Sequence, residues 1–211
     1  MKIIPTFTVG LERLFSSFPL LINICSLYYK EIVKKEIKLG EISSHERVLC
    51  IGGGSVPCTA LEIAKRTGAK VQVVDIDPTA VENAKKVVKR LGMESQIDVK
   101  LASGQQIDTS SFNVIHVALQ AQPHEEILEN VWKKAPCGTR VLIRSPKDCL
   151  RKFYTALSRD YSCINCKSIE QKYCTMKETL LFTKTEGGLD YEKDGYGAGS
   201  LSYSSVNSMV G

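Results

Sequence analysis

Three glycines followed by serine, valine and proline, Gly52-Gly53-Gly54-Ser55-Val56-Pro57, come directly after the apolar stretch Val48 to Ile51. Glycines at such a turn let the backbone lie close against a ligand, and a helix starting after it offers unpaired N–H groups. Asp75 stands twenty-three residues after Gly52 at the end of the next apolar run, where a carboxylate accepts hydrogen bonds from both hydroxyls of a ribose. Together they point to a nucleoside-containing ligand. A tight turn with a helix-capping Asp77 accounts for Asp77 but leaves Asp75 without a role. The dinucleotide fingerprint needs a third glycine where this chain has Pro57, which disfavours NAD. A P-loop needs a lysine before its final Ser or Thr; none lies between Gly52 and Cys58, so ATP by that route is excluded.

Other reactive groups are scattered. Asn23, Leu27 and Glu31 are spaced four apart and share a helical stripe, so Glu31 is a candidate general base. It also sits among Lys30, Lys34 and Lys35, where a glutamate in surface ion pairs is the commoner outcome. Of Tyr28 and Tyr29, one is expected to line the pocket while the other packs; Tyr28 is taken with Glu31 as the catalytic pair. His124 follows the strand Asn113 to Ala118 on the cleft side and is a candidate substrate contact, whereas His116, inside that strand, reads as a satisfied core histidine. Arg144 ends another strand at the same rim, where its planar fork could hold a substrate carboxylate. Cys163, Cys166 and Cys174 supply three thiols without a fourth ligand nearby, so packed thiols are expected and no metal.

The elements that position these groups alternate short strands with amphipathic stretches, the pattern of βαβ units on a parallel sheet. Strands are predicted at Val48–Ile51, Lys70–Val74, Ile97–Leu101, Asn113–Ala118 and Thr139–Arg144, with a closing hairpin near Tyr161–Ser168 and Thr179–Lys184. Helices are predicted at Leu20–Leu39, Thr59–Arg66, Pro78–Leu91, His124–Ala135 and Lys147–Leu157. The third is best marked: Asp77 caps it, Pro78 suits its first position and Gly92 closes it. Three segments result: a helical cap at 1–44, a ligand-binding unit at 45–185, and a flexible Gly/Ser/Tyr-rich tail at 186–211.

Composition bounds the rest. A chain of 211 residues, 43% apolar and 24% charged, suits one ordinary soluble domain and rules out collagen, wholesale disorder and a disulfide-stapled miniprotein. The longest apolar stretch, Phe18 to Tyr29, is interrupted by Pro19, Asn23 and Ser26, so no membrane partner is expected. Eight scattered cysteines read as reduced thiols and, without a signal-peptide pattern, place the chain in the cytoplasm. The net charge of +5 hides a tail with four acids and one base, leaving 27 bases against 19 acids, or +8, ahead of it. A solvated lysine-rich face is the commoner source of such a surplus than nucleic-acid binding.

With these residues in view, the chain resembles the class I S-adenosylmethionine (AdoMet) methyltransferase superfamily over roughly residues 45–184. The likeness rests on Arg47-Val48-Leu49-Cys50-Ile51-Gly52-Gly53-Gly54, on Val73-Val74-Asp75-Ile76-Asp77-Pro78 with Ala80-Val81-Glu82-Asn83-Ala84, on Ser103-Gly104, and on Phe112-Asn113-Val114-Ile115. It implies a Rossmann-like α/β fold, with a mostly parallel seven-stranded sheet, a closing antiparallel hairpin and an N-terminal helical cap. AdoMet, a co-substrate, would then contact Gly52, Gly53, Gly54, Pro57, Asp75, Ile76, Asp77, Ser103, Gly104, Gln105 and Ala118. The chain departs from ordinary methyltransferases at Cys50 and Gln105, where they carry an acid, and at Val56, where they carry glycine.

Those departures resemble a narrower group, the nicotianamine synthase-like enzymes, with a loop of the form G-x-G-x-h-P followed by D-I-D-P. Gly138-Thr139-Arg140-Val141-Leu142-Ile143-Arg144-Ser145 is similar too, as is Phe18-Pro19 with Asn23, Leu27 and Glu31, although Leu20, Leu21 and Ile24 replace tyrosines of that group. The resemblance implies transfer of the aminobutanoyl arm of AdoMet to a small amine, with release of methylthioadenosine. Transfer of the methyl group to a small molecule or RNA is the alternative, and a non-catalytic nucleoside-binding subunit is the third reading.

Overall fold

The computed structural model describes residues 19–150, 166–171 and 175–186. Its elements are α1 (Pro19–Leu39), β1 (Arg47–Ile51), α2 (Cys58–Thr67), β2 (Lys70–Asp75), α3 (Pro78–Arg90), β3 (Ile97–Leu101), β4 (Val114–Val117), α4 (His124–Lys134), β5 (Arg140–Pro146), β6 (Lys167–Glu170) and β7 (Met176–Thr183). The strands form one sheet in the order β3-β2-β1-β4-β5-β7-β6. The first five are parallel, and β7 runs antiparallel to both β5 and β6, which is the mostly parallel sheet with a closing hairpin that the sequence predicts.

Side chains alternate across the sheet and so divide the core in two. Val48, Cys50, Val71, Val73, Val114 and Leu142 face α1, α2 and α3, where they meet Val33, Ile63, Val81 and Val88. Leu49, Ile51, Ile115, Val117, Val141 and Ile143 face α4 and meet Ile127, Leu128 and Val131. Burial on both faces explains why these strands read as nearly continuous apolar runs.

The helix ends follow local chemistry. Asp77 Oδ1 accepts from Thr79 N at 2.9 Å, Pro78 occupies the first turn, and Gly92, at φ +66°, follows the last turn of α3. The second half of α1 lies on the sheet, with Ile32, Val33 and Glu36 all buried. Arg140 on β5 ties its end down, donating to Gly40 O at 2.6 Å and Glu41 O at 2.9 Å and pairing with Glu46.

The predicted helix at Lys147–Leu157 is described only as a short 3-10 turn, Asp148–Leu150, and its remainder lies outside the described residues. So do Cys163, Cys174 and, apart from Glu186, the 186–211 tail. No helix among the described residues is long and apolar enough to cross a membrane.

Candidate functional site

The chain leaves β1 toward β2 and β3, then returns to β4 on the other side of β1, so strand order reverses between β1 and β4. Ligands of open α/β sheets bind beyond the strand ends at such a point. A cavity of about 400 Å³ opens there, bounded by the ends of β1, β2, β4 and β5 and by α1.

Backbone builds its β2 end. Gly52 N and Gly53 N donate to Val74 O at 2.9 and 3.2 Å, folding the loop back over β2. A Cβ on Gly53 would sit 2.1 Å from Val73 Cγ1, so packing against the strand, as well as any ligand, requires glycine there. Asp75 Oδ2 accepts from Gly54 N at 2.8 Å and Oδ1 from Asp77 N at 3.0 Å. Each carboxylate oxygen has about two acceptor positions, so Asp75 retains capacity for a ribose diol. Ile76, 70% exposed, leaves an apolar surface open beside it. Gly104 crosses close to β1, where a Cβ would fall 2.6 Å from Ile51 Cγ2.

Charged side chains build the β5 end. Arg144, His116 and Cys50 line it on the face that α1 covers. Glu36 reaches them from α1 and is completely buried: Arg144 Nε donates to Oε1 at 2.8 Å and Nη2 to Oε2 at 2.7 Å. Thr179 Oγ1 donates to Oε1 at 2.8 Å, and His116 Nε2 lies 3.2 Å from Oε2, a donor there as the Nε2–H tautomer.

Burial alone would raise the pKa of Glu36, but the Arg144 guanidinium, His116 and their hydrogen bonds outweigh it and hold the carboxyl well below the usual range. Burial lowers the pKa of His116 against the pull of Glu36, with Arg144 adding to the lowering. Burial pushes the Cys50 thiol up to about 12, opposed by Arg144 and helped by Glu36, so it stays protonated. The Tyr29 ring lies over the guanidinium, its centroid 5.1 Å from Cζ.

Of the expected AdoMet contacts, Gly52, Gly53, Gly54, Pro57, Asp75, Ile76, Asp77, Gly104, Gln105 and Ala118 line the cavity. Ser103 does not: its hydroxyl donates to Gln105 Oε1 at 2.6 Å and accepts from Gln105 N at 3.2 Å, shaping the turn from behind. His124 is likewise corrected. It begins α4 with its ring turned inward, 1% exposed, and its Nε2 lies 3.1 Å from Ala118 O rather than in the cavity.

The tyrosine choice is also corrected. Both rings pack against Ile32, Leu119 and Met176, but Tyr29 lines the cavity and Tyr28 does not, because one residue turns a helix by about 100°. Glu31 is exposed and does not line the cavity; like Leu27, 71% exposed, it lies two residues from Tyr29, about 200° around the helix and so on its outward side. Arg144 is where expected, but the side-on fork of its Nε and Nη2 is occupied by Glu36.

Glu36 escaped the sequence reading. Its signal was available: it continues the apolar stripe of half-buried Tyr29 and buried Ile32 and Val33 at helical spacing, and a carboxylate in such a stripe calls for a buried partner.

Residues 24–133 match the family described as alanine dehydrogenase/PNT, C-terminal domain, a Rossmann-like domain. Over 69 residues the chain is 38% identical to the L-histidine 2-aminobutanoyltransferase of Yersinia pestis, a match covering 33% of this chain and 26% of that protein. A point mutant of MtNAS, a nicotianamine synthase, in complex with S-adenosylmethionine matches with a TM-score of 0.62 at 27% identity, over 74% of this chain and 61% of that one. An RNA methyltransferase from Salinibacter ruber in complex with S-adenosyl-L-homocysteine matches with a TM-score of 0.61 at 15% identity, over 74% of this chain and 92% of that one. The fold is that of the class I methyltransferases. The matched stretch spans about a quarter of the Yersinia relative and about three fifths of the nicotianamine synthase.

Proposed function

We propose that this chain, which belongs to the alanine dehydrogenase/PNT, C-terminal domain family, binds AdoMet and transfers its aminobutanoyl arm to a small amine. The observation that carries this reading is one continuous cavity joining a ribose-competent Asp75 at β2 to a guanidinium at β5. Pro57 in place of a third glycine argues against a dinucleotide in the same turn. The two aminobutanoyl-transfer relatives, one solved with AdoMet bound, support the choice of ligand and reaction.

Adenosine lies in this reading along Asp75, Ile76 and the Gly104-Gln105 turn, with the sulfonium beside the Gly52–Gly54 loop. The amine nitrogen attacks the arm's Cγ; the C–N bond forms, the Cγ–S bond breaks, and its electron pair leaves on the neutral thioether of methylthioadenosine. The site mainly aims the nucleophile at the carbon next to the cationic sulfur. The amine must also lose a proton. Glu31 is proposed as its acceptor, with the proton passing through water because the side chain lies outside the cavity.

An amino acid is the proposed acceptor class, with L-histidine as the first probe because the Yersinia relative is named for it. Methyl transfer remains the competing chemistry on this fold.

Calorimetric titration with AdoMet tests the binding step. Wild type is expected to bind, and Asp75→Ala to bind at least about tenfold more weakly, a loss of about 1.4 kcal/mol. Equal affinity in the two proteins would remove the ribose assignment.

A further inference from the structure

At the β5 end of the cavity, across from Asp75, sits a buried cation. Arg144 is only 3% exposed, yet it lines the cavity. Nε and Nη2 donate to Glu36, and Nη1 makes no hydrogen bond to a described residue. The Tyr29 ring covers one face of the guanidinium.

Glu36 holds this arrangement. A carboxylate has about four acceptor positions, and Arg144 Nε, Arg144 Nη2, Thr179 Oγ1 and His116 Nε2 occupy all of them. It therefore cannot turn toward a ligand, and it fixes the guanidinium against rotation. His116, its pKa lowered by burial, adds no second positive charge, and the protonated Cys50 thiol adds no negative one. An ionised acid at position 50 would repel an incoming anion.

The separation suits the donor. β1 and β4 lie between β2 and β5, so Asp75 and Arg144 stand on strands three spacings apart, about 14 Å at about 4.8 Å per spacing. A molecule whose ribose is held at Asp75 and whose opposite end carries a charge bridges such a gap. The charged end of AdoMet opposite its ribose is the α-amino acid group of the aminobutanoyl arm.

We propose that Glu36 is a positioning residue that locks Arg144 so that Nη1 receives the α-carboxylate of the aminobutanoyl arm of AdoMet. This rests on the AdoMet reading above. Anchoring the carboxylate fixes the far end of the arm and so helps decide which carbon beside the sulfur faces the acceptor.

The test is calorimetric titration of the full chain with AdoMet, decarboxylated AdoMet and methylthioadenosine, in wild type, Glu36→Gln and Arg144→Lys. Wild type is expected to prefer AdoMet over its decarboxylated form by about tenfold or more, as for one charge-assisted hydrogen bond. Both variants should reduce that preference to about threefold or less, while affinity for methylthioadenosine, which has no carboxylate, stays within about twofold. If Glu36→Gln does not fold, Arg144→Lys carries the same comparison, because lysine still pairs with Glu36 but offers no Nη1. A preference unchanged in the variants would overturn the proposal, as would equal weakening of all three ligands, the mark of a purely structural role. Failure of wild type to bind both AdoMet and methylthioadenosine would instead overturn the AdoMet reading, and this proposal with it.

Discussion

At the β2 end of the cavity the walls are backbone: a glycine loop hydrogen-bonded to Val74, and Asp75 receiving two main-chain N–H groups while remaining partly open to solvent. At the β5 end they are charged side chains sealed from water, with Glu36, Arg144 and His116 drawn from α1, β5 and β4. The first end is assembled over short sequence separations, 2 and 21 residues for the Asp75 contacts. The second is assembled over 80, 108 and 143 residues for those of Glu36. Ligand affinity should therefore depend on both ends, whereas folding stability should depend far more on the sealed one.

The largest effect expected is on stability at the sealed end. Arg144→Leu leaves the Glu36 carboxylate buried without its cation and should cost about 3–5 kcal/mol in urea denaturation. The double variant Glu36→Leu/Arg144→Leu should recover much of that loss, since two apolar side chains bury more readily than one unpaired charge. Strict additivity of the two single losses would contradict the coupling described here.

Acid should separate the ends next. Glu36 has a folded pKa below its ordinary 4.5, so its stabilising contribution is present above that value and lost as pH falls through the folded one. His116 is lowered from 6.5, so the unfolded chain takes up protons below about 6.5 that the fold does not. Both signs agree: stability should fall steadily from about pH 6.5 downward, and Glu36→Gln should flatten the part below about pH 5. Urea midpoints across pH 7.5 to 4 measure it, and no slope in wild type would contradict the burial of charge.

At the open end, Gly53→Ala forces a methyl group against Val73 and should cost about 1–3 kcal/mol while also weakening AdoMet binding by displacing the loop. A stable variant with unchanged affinity would show that the loop yields freely. The smallest expected stability effect belongs to Glu31→Gln: an exposed side chain, within about 0.5 kcal/mol of wild type by thermal denaturation. Its readout is turnover. A fall with AdoMet affinity preserved supports the proton-acceptor role, and unchanged turnover removes it.

The contrast also accounts for what could be read from the sequence. The glycine turn, Asp75, and Asp77 with Pro78 and Gly92 around α3 are local features, in which the chemistry and the geometry occupy the same few residues. The parallel sheet followed from alternating apolar runs. Glu36 carried a local clue in its apolar stripe, but its partners could be named only once β4, β5 and β7 were side by side. His124 was read toward the cleft because it follows a strand end, yet the first turn of α4 directs the ring to Ala118. Tyr28 and Tyr29 differ by one position and both pack against Ile32, Leu119 and Met176, and helical phase, which neighbouring residues did not settle, decides which of them also lines the cavity.

The most direct measurement is the identity of the spent nucleoside. The purified chain is incubated with AdoMet and amino-acid amines, L-histidine first, and the products are resolved by mass spectrometry. Aminobutanoyl transfer predicts methylthioadenosine above a no-protein control, together with an amine heavier by one aminobutanoyl group. S-adenosylhomocysteine with a methylated acceptor would contradict it and assign the same cavity to methyl transfer.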